Sequence, residues 1–388
     1  MKFSKIATSI TPNIFSVLEA RRVEAVSKGR EVINLTIGTP DFLPQPHIVK
    51  ALSECASDPK MYGYSINDTP ALTSAVQNWY SKRYGVTLAP EQITSVNGSQ
   101  EGIAHIAFAL IDPGDTVIVT NPGYPIFSFG PFMAGAKFYK VPLTAENDFL
   151  IDFDAIPVEQ AKNATLMIVS YPNNPTGKTA NKSFYEKLVA FAKKYDIMVV
   201  HDNAYSEIIL NGEHGGSFLS TPGAMDVGIE FNSLSKTYNM TGARISFALG
   251  NADMINQFRK LRSQIDYGVF LPVQYAAIAA LKGPQDFLAQ QREGYKERRD
   301  ALCGGLRSIG WKCPDSDATM FVWAPLPEGF SSSVDFVLEL LDRTGVMCVP
   351  GDSFGSLGNG YVRFALTAPP EIIRRAVQKI DESGIIQK

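Results

Sequence analysis

The chain has 388 residues, 45% hydrophobic and 19% charged, enough apolar side chain for one large core and a smaller second one. Its 36 basic and 39 acidic residues leave a formal charge of -3 without long single-sign runs, which argues against a nucleic-acid or polybasic membrane surface and for a small-molecule partner. Four scattered cysteines (Cys55, Cys303, Cys313, Cys348) and only four histidines predict free thiols and no metal site, and no uncharged segment has the length of a membrane span, so a cytoplasmic protein is expected.

The first 45 residues end in Leu35-Thr36-Ile37-Gly38-Thr39-Pro40-Asp41, too short to fold alone, and predict an arm packed on two domains, residues 46–280 and 281–388. Short β-branched runs at 92–96, 116–120, 165–170, 197–201 and 229–233 read as strands. Helical periods lie between them, at 101–111 and at 182–195, where Phe184, Leu188, Phe191 and Ala192 recur at three- and four-residue intervals. That rhythm predicts an open α/β layer with a mostly parallel sheet. The second domain reads as α+β: a helix at 285–309, strands near 320–324 and 360–366, and a last helix from Pro370.

In a parallel sheet ligands bind beyond the carboxyl ends of the strands, and four polar clusters fall there. Gly98-Ser99-Gln100 follows a strand and opens a helix, so it is either an anion site built from free backbone N–H groups or an ordinary turn capped by Ser99. Asn173-Asn174-Pro175-Thr176-Gly177 is a turn by composition. Gly177-Lys178-Thr179 is no phosphate loop, because Pro172 stands where the required glycine would be.

Asp202 ends an apolar strand, a costly place for a carboxylate unless a cation meets it. A protonated ring nitrogen would serve, with Tyr205 on the other side of that ring; the plainer reading is a turn cap and a core phenol. Lys236, in Ser233-Leu234-Ser235-Lys236, has hydroxyls beside it and Arg244 eight residues on, a set suited to a carbonyl-bearing phosphorylated cofactor, although lysine beside serine is also common on solvated loops. Arg363, alone among apolar residues of a strand, calls for an anion, either a substrate carboxylate or an internal salt bridge.

Taken in order, Gly38, Asn97 to Gln100, Pro122-Gly123-Tyr124-Pro125, Asn174-Pro175-Thr176-Gly177, Asp202-x-x-Tyr205, Ser233-x-Ser235-Lys236, Arg244 and Arg363 resemble the motifs of the class I/II aminotransferases, fold type I enzymes of pyridoxal 5'-phosphate. The resemblance spans nearly the whole chain and implies a large domain with a mostly parallel seven-stranded sheet flanked by helices, plus a smaller α+β domain. It implies Lys236 as Schiff-base lysine and proton shuttle, with Asp202 on the pyridine nitrogen and Asn174 and Tyr205 on the ring oxygen. Tyr124 would stack on the ring. Gly98, Ser99, Gln100, Ser233, Ser235 and Arg244 would hold the phosphate, and Arg363, Asn174 and Gly38 the substrate's α-carboxylate. The implied reaction is ping-pong transfer of an amino group between an L-amino acid and a 2-oxo acid; the alternatives are a cystathionine β-lyase-like C–S lyase and a non-catalytic cofactor-binding regulator.

By the same resemblance the protein is a homodimer in which a tyrosine from the neighbour reaches the phosphate. Tyr64 has that place, and Tyr62 competes because the stretch to Pro70 is one residue shorter than usual. Ala243 and Ser246 replace a tryptophan and a glycine common near Arg244. No arginine follows Arg262 where aspartate-specific relatives carry one, and Asp266 to Phe270 with Pro272-Val273-Gln274 is similar to the branch holding LL-diaminopimelate and alanine-type aminotransferases. Asp266 is expected either to meet a distal ammonium or to face solvent.

Overall fold

A computed structural model of the chain describes residues 1–10, 14–212 and 215–387; residues 11–13 of the expected arm lie outside them. The main sheet takes its strands in the chain order β1 (Ile93–Val96), β2 (Thr116–Asn121), β3 (Lys137–Pro142), β4 (Ala164–Ser170), β5 (Met198–Asp202), β6 (Gly228–Ser233) and β7 (Ser246–Gly250). Across the sheet they run β1-β7-β6-β5-β4-β2-β3. Only β7 is antiparallel to its neighbours, so β1, β4, β5 and β6 all end on the same edge.

The five expected strands appear within a residue or two. Two were not foreseen, for different reasons. β3 is an edge strand whose residues are mostly half-exposed or exposed, so it lacks a continuous apolar run. β7, Ser-Phe-Ala-Leu-Gly, is only five residues long, pairs antiparallel with β6 and β1, and follows a site loop.

Helices cover both faces. Lys182–Tyr195 begins where Asn181 Oδ1 accepts from Phe184 N–H at 3.0 Å, satisfying one of the free first-turn donors, and buries Phe184, Leu188, Phe191 and Ala192 as its period predicts. One large apolar cluster includes Trp79, Leu188 and Phe247, and a second, including Ile106, Phe231 and Phe258, lies on the other side of the sheet.

A third core, around Trp311, Phe336, Leu340 and Phe364, packs between the helices Phe287–Ser308, Ser333–Thr344 and Pro370–Glu382 and a small antiparallel sheet. That sheet has the strands β8 (Phe321–Pro325), β9 (Val349–Pro350) and β10 (Tyr361–Ala365) in the order β9-β10-β8. The early segment is tied here by backbone: Ile33–Asn34 pairs in parallel with Val346–Met347, and Ala365 N–H donates to Leu35 O at 2.7 Å. Arg298 forks onto both oxygens of Asp41 at 2.6 and 2.8 Å, fixing the end of the segment that carries Gly38.

Candidate active site

The shared strand edge opens into a cavity of about 790 Å³, within the range of small-molecule sites. After β1 the chain turns at Gly98, whose φ of +94° lies where L side chains are strained. A Cβ there would come within 2.1 Å of Arg244 Nη2, so the glycine also leaves room for that guanidinium. The helix Ser99–Leu110 starts next, with its N-terminus toward the cavity and Ser99 and Gln100 on the wall.

After β4, Asn173 organises the loop. Its Oδ1 accepts from Thr176 N–H at 3.1 Å and Thr176 Oγ1 at 2.9 Å, and its Nδ2 donates to Ser170 O at 3.1 Å. This presents Asn174 to the cavity, where its Oδ1 accepts from Arg363 Nη1 at 2.8 Å. Asp202 ends β5, and Ser233 ends β6. Ser233 Oγ accepts from Ser235 N–H at 3.2 Å and from Ser246 Oγ at 2.9 Å, so the serine that replaces a glycine near Arg244 braces the turn leading to Lys236. Tyr124, Tyr205, Ser235, Arg244 and Arg363 line the same space, and Lys236 Nζ donates to the Gly38 carbonyl across it.

The charges in this cavity are under strain from burial. Removal from water, then the nearby Arg363 and Arg244 cations, lowers Lys236 to about 8, leaving an amine that loses its proton near neutrality. Burial pushes Asp202 up to about 6, opposed by His201 and the Ala204 backbone N–H, with Glu230 adding to the rise. The cap reading of Asp202 is therefore half realised: Ala204 holds part of the carboxyl, while Oδ1 is buried with no partner. Burial also raises the phenols of Tyr205 and Tyr124.

Arg363 is fully buried, and burial pulls it down to about 10. Beyond Asn174 it donates to Thr36 O at 3.3 Å and sits over the rings of Phe321 and Phe354 at 4.0 and 4.7 Å. No carboxylate pairs with it among the described residues, and its Nε has no partner, so the internal salt bridge is overturned. Buried Asp202 Oδ1, Ser99 Oγ and Arg363 Nε thus form an unsatisfied set around one lysine. A ligand with a cationic ring nitrogen, a phosphate and a carboxylate fits that donor and acceptor set.

Of the other expected residues, Gln100 lies on the wall, while Gly98, Tyr62, Tyr64 and Asp266 stand outside the lining. Gly98 supports its wall from behind Arg244. Gln100 is engaged, accepting from Tyr124 Oη at 3.0 Å. Tyr64 is 83% exposed and leans on Tyr267 with ring centroids 4.9 Å apart, so it does not enter its own chain's site. Tyr62 donates to Ala56 O at 2.9 Å and lies against Phe270. Asp266 corrects the expectation of a distal-ammonium partner or a solvated carboxylate: Arg262 takes both its oxygens at 2.8 and 3.2 Å, on the wall of a separate cavity. Phe321, Ser353 and Phe354 also line the cavity and carry no motif in the sequence that marks them: Phe321 lies in an apolar strand, and Ser353 and Phe354 in a short 3-10 turn, Gly351–Phe354.

Set beside known proteins, residues 30–380 match the family described as aminotransferase class I and II. The LL-diaminopimelate aminotransferase of Moorella thermoacetica is 44% identical over 382 residues, 98% of each chain, and that of Dehalococcoides mccartyi 42% over the same share. The substrate-bound structure of BacF from Bacillus subtilis superposes with a TM-score of 0.94 at 36% identity, covering 98% of both chains. A probable N-succinyldiaminopimelate aminotransferase from Thermus thermophilus gives 0.89 at 33%, covering 95% of this chain and all of that one. With the parallel sheet, the lysine cavity and the buried arginine already placed, these matches show that this chain belongs to the class I and II aminotransferases.

Proposed function

We propose that this aminotransferase holds pyridoxal 5'-phosphate in the cavity around Lys236, takes LL-diaminopimelate as amino donor with a 2-oxo acid as acceptor, and works as a homodimer. One observation carries the site reading: Arg363, a fully buried guanidinium without an anionic partner, lies in the same cavity as an amine lowered to about 8. Leaving such a cation unpaired in the folded protein is costly, and a substrate carboxylate in the fork supplies the charge.

When bound, pyridoxal phosphate supplies a carbonyl for the amino group and a ring that accepts the electron pair left as the α-proton departs. The chain's own residues do the rest. Asp202 Oδ1, buried without a partner, would face the ring nitrogen and keep it protonated, which would lift the burial penalty on the carboxylate. Ser99 Oγ, the free N–H groups opening Ser99–Leu110, Gln100, Ser233, Ser235 and Arg244 hold the phosphate. Tyr124 would cover the ring, and Asn174 and Tyr205 would meet its oxygen. Arg363 and Asn174 orient the α-carboxylate, with the Gly38 backbone beside them, so that the α-proton points to Lys236 Nζ. Half neutral at about pH 8 and more so above it, that nitrogen would accept the α-proton and give it back.

Support for the substrate comes from identities of 42–44% to LL-diaminopimelate aminotransferases over 98% of both chains. Nothing in these relatives speaks for the C–S lyase, and membership of an enzyme family disposes of the non-catalytic regulator. Exposed Tyr62, Tyr64, Ile66, Tyr267 and Phe270 form an apolar surface suited to the second copy, which would bring its Tyr64 to this phosphate. The arm with residues 46–280 and 281–388 as two domains is part of the same proposal. No helix of the described residues is long and apolar enough to cross a membrane.

A single-turnover screen tests the substrate. Loaded protein is mixed with single amino acids, and conversion of the bound cofactor to its amine form is followed by absorbance. LL-diaminopimelate should react fastest; faster conversion by aspartate or alanine would refute the assignment.

A further inference from the structure

The short helix Leu234–Thr237 that carries Lys236 closes with a backbone bond from Tyr238 N–H to Leu234 O at 3.0 Å. The last carbonyls of a helix have no partner within it, and among the described residues no backbone N–H donates to the Lys236 carbonyl. Asn239, just past the helix end, takes the left-handed conformation at φ +58° and turns the chain away. A distant side chain meets the carbonyl instead: Gln291 Nε2 donates to Lys236 O at 3.0 Å.

Gln291 is buried in the helix Phe287–Ser308. Its Oε1 accepts from Asn239 Nδ2 at 2.8 Å, and that same Nδ2 donates to the Leu43 carbonyl at 3.4 Å. This chain of contacts begins and ends on backbone carbonyls, which can only accept. Both amide orientations are therefore set, with the Gln291 nitrogen on Lys236 and one Asn239 hydrogen for each of its acceptors.

About two turns further along the same helix face, Arg298 forks onto Asp41 and donates to Leu366 O at 3.0 Å. Between them Gly294 leaves room for Phe42, since a Cβ would lie 2.8 Å from Phe42 Cζ. Tyr295 meets that ring edge-on, with centroids 5.1 Å apart. One helix face thus grips residues 41–43 together with the backbone of Lys236. The gripped segment follows Gly38, whose carbonyl accepts from Lys236 Nζ. The same helix joins two cores, with Leu288 in that of Trp79 and Leu302 in that of Trp311.

We propose that Gln291 is a positioning residue, which holds the Lys236 backbone in register with the Gly38 segment so that Nζ meets the cofactor carbonyl from one place. The proposal rests on Lys236 being the amine that engages the cofactor. A reacting nitrogen at the tip of a flexible stem loses rate when the base of the stem can shift.

Two phosphates of similar shape test this in the cofactor-free protein. Pyridoxal 5'-phosphate condenses with a lysine amine and releases water; pyridoxamine 5'-phosphate fills the same cradle and cannot condense. Gln291→Met keeps the length of the side chain and removes the donor. It should capture pyridoxal phosphate roughly 5- to 10-fold more slowly, with affinity for pyridoxamine phosphate unchanged. Asn239→Gly tolerates the positive φ and frees Gln291 from its anchor, so it should show the same split to a smaller degree. It decides the matter if Gln291→Met does not fold. Capture at the wild-type rate, or equal losses for both phosphates, would overturn the proposal. Borohydride labelling of each variant keeps two failures apart. Label on another lysine defeats the assignment of Lys236 and the proposal with it, whereas label on Lys236 formed at wild-type speed defeats the role of Gln291 alone.

Discussion

Replacing Asp202 with Asn should have opposite effects on the empty and loaded protein. Burial raises this carboxyl from 3.8 to about 6, a difference worth about 3 kcal/mol at about 1.4 kcal/mol per unit. The acid's folded pKa lies above its unfolded one, so the penalty is complete above about pH 6, shrinks as pH falls, and is gone below 3.8. Asn removes the charge but still buries a polar amide, a cost of about 1 kcal/mol or more. Cofactor-free D202N should therefore gain about 1–2 kcal/mol over wild type at about pH 7.5 and lose up to about 1 kcal/mol at about pH 4. In the loaded protein a charge-assisted contact of about 1.5–3 kcal/mol is lost, so cofactor affinity should drop roughly 10- to 100-fold, with a slower single turnover. Denaturant unfolding at both pH values, with and without pyridoxal phosphate, reads both effects. Loss of stability in the cofactor-free variant at about pH 7.5, together with unchanged cofactor affinity, would refute the reasoning.

Much of the site was legible because its chemistry is local in sequence. Gly98-Ser99-Gln100, Asp202 and Ser233 to Lys236 each close a strand that an apolar run announces, and parallel pairing alone brings their ends together. Arg363 was legible as a problem, a lone cation in a buried strand. Its solution was not, since the choice between a salt bridge and a substrate depended on which side chains fold around it. Asp266 shows the converse. Its partner is Arg262, one helical turn back, a pairing that sequence permits but cannot prefer over solvent. β3 was missed because an edge strand needs only a partial apolar face, and Phe321 and Phe354 because a ring packing under a guanidinium looks, in sequence, like any core aromatic.

Three further outcomes follow from the geometry. Arg363→Lys keeps the charge but cannot fork, so KM for the amino donor should rise roughly 10- to 100-fold with a smaller change in kcat; an unchanged KM in steady-state assays would remove the carboxylate from this site. Because burial lowers Lys236 to about 8, the rate of pyridoxal phosphate capture by the empty protein should climb about tenfold per pH unit below that value and level off above it. A stopped-flow profile still rising toward pH 10 would contradict the lowered amine. In mixed dimers of a Lys236→Ala chain with a Tyr64→Phe chain, the surviving lysine site receives the intact Tyr64, so phosphate-dependent cofactor affinity should return to the wild-type value; affinity equal to that of the Tyr64→Phe homodimer would place the tyrosine in its own chain's site or nowhere near it.

The central claim is that Lys236 is the amine that engages the cofactor. Borohydride reduction of the loaded protein, followed by peptide mapping, tests it directly. The label should fall on Lys236 alone and vanish in Lys236→Ala. A covalent label on another lysine, or one that persists in Lys236→Ala, would contradict the account.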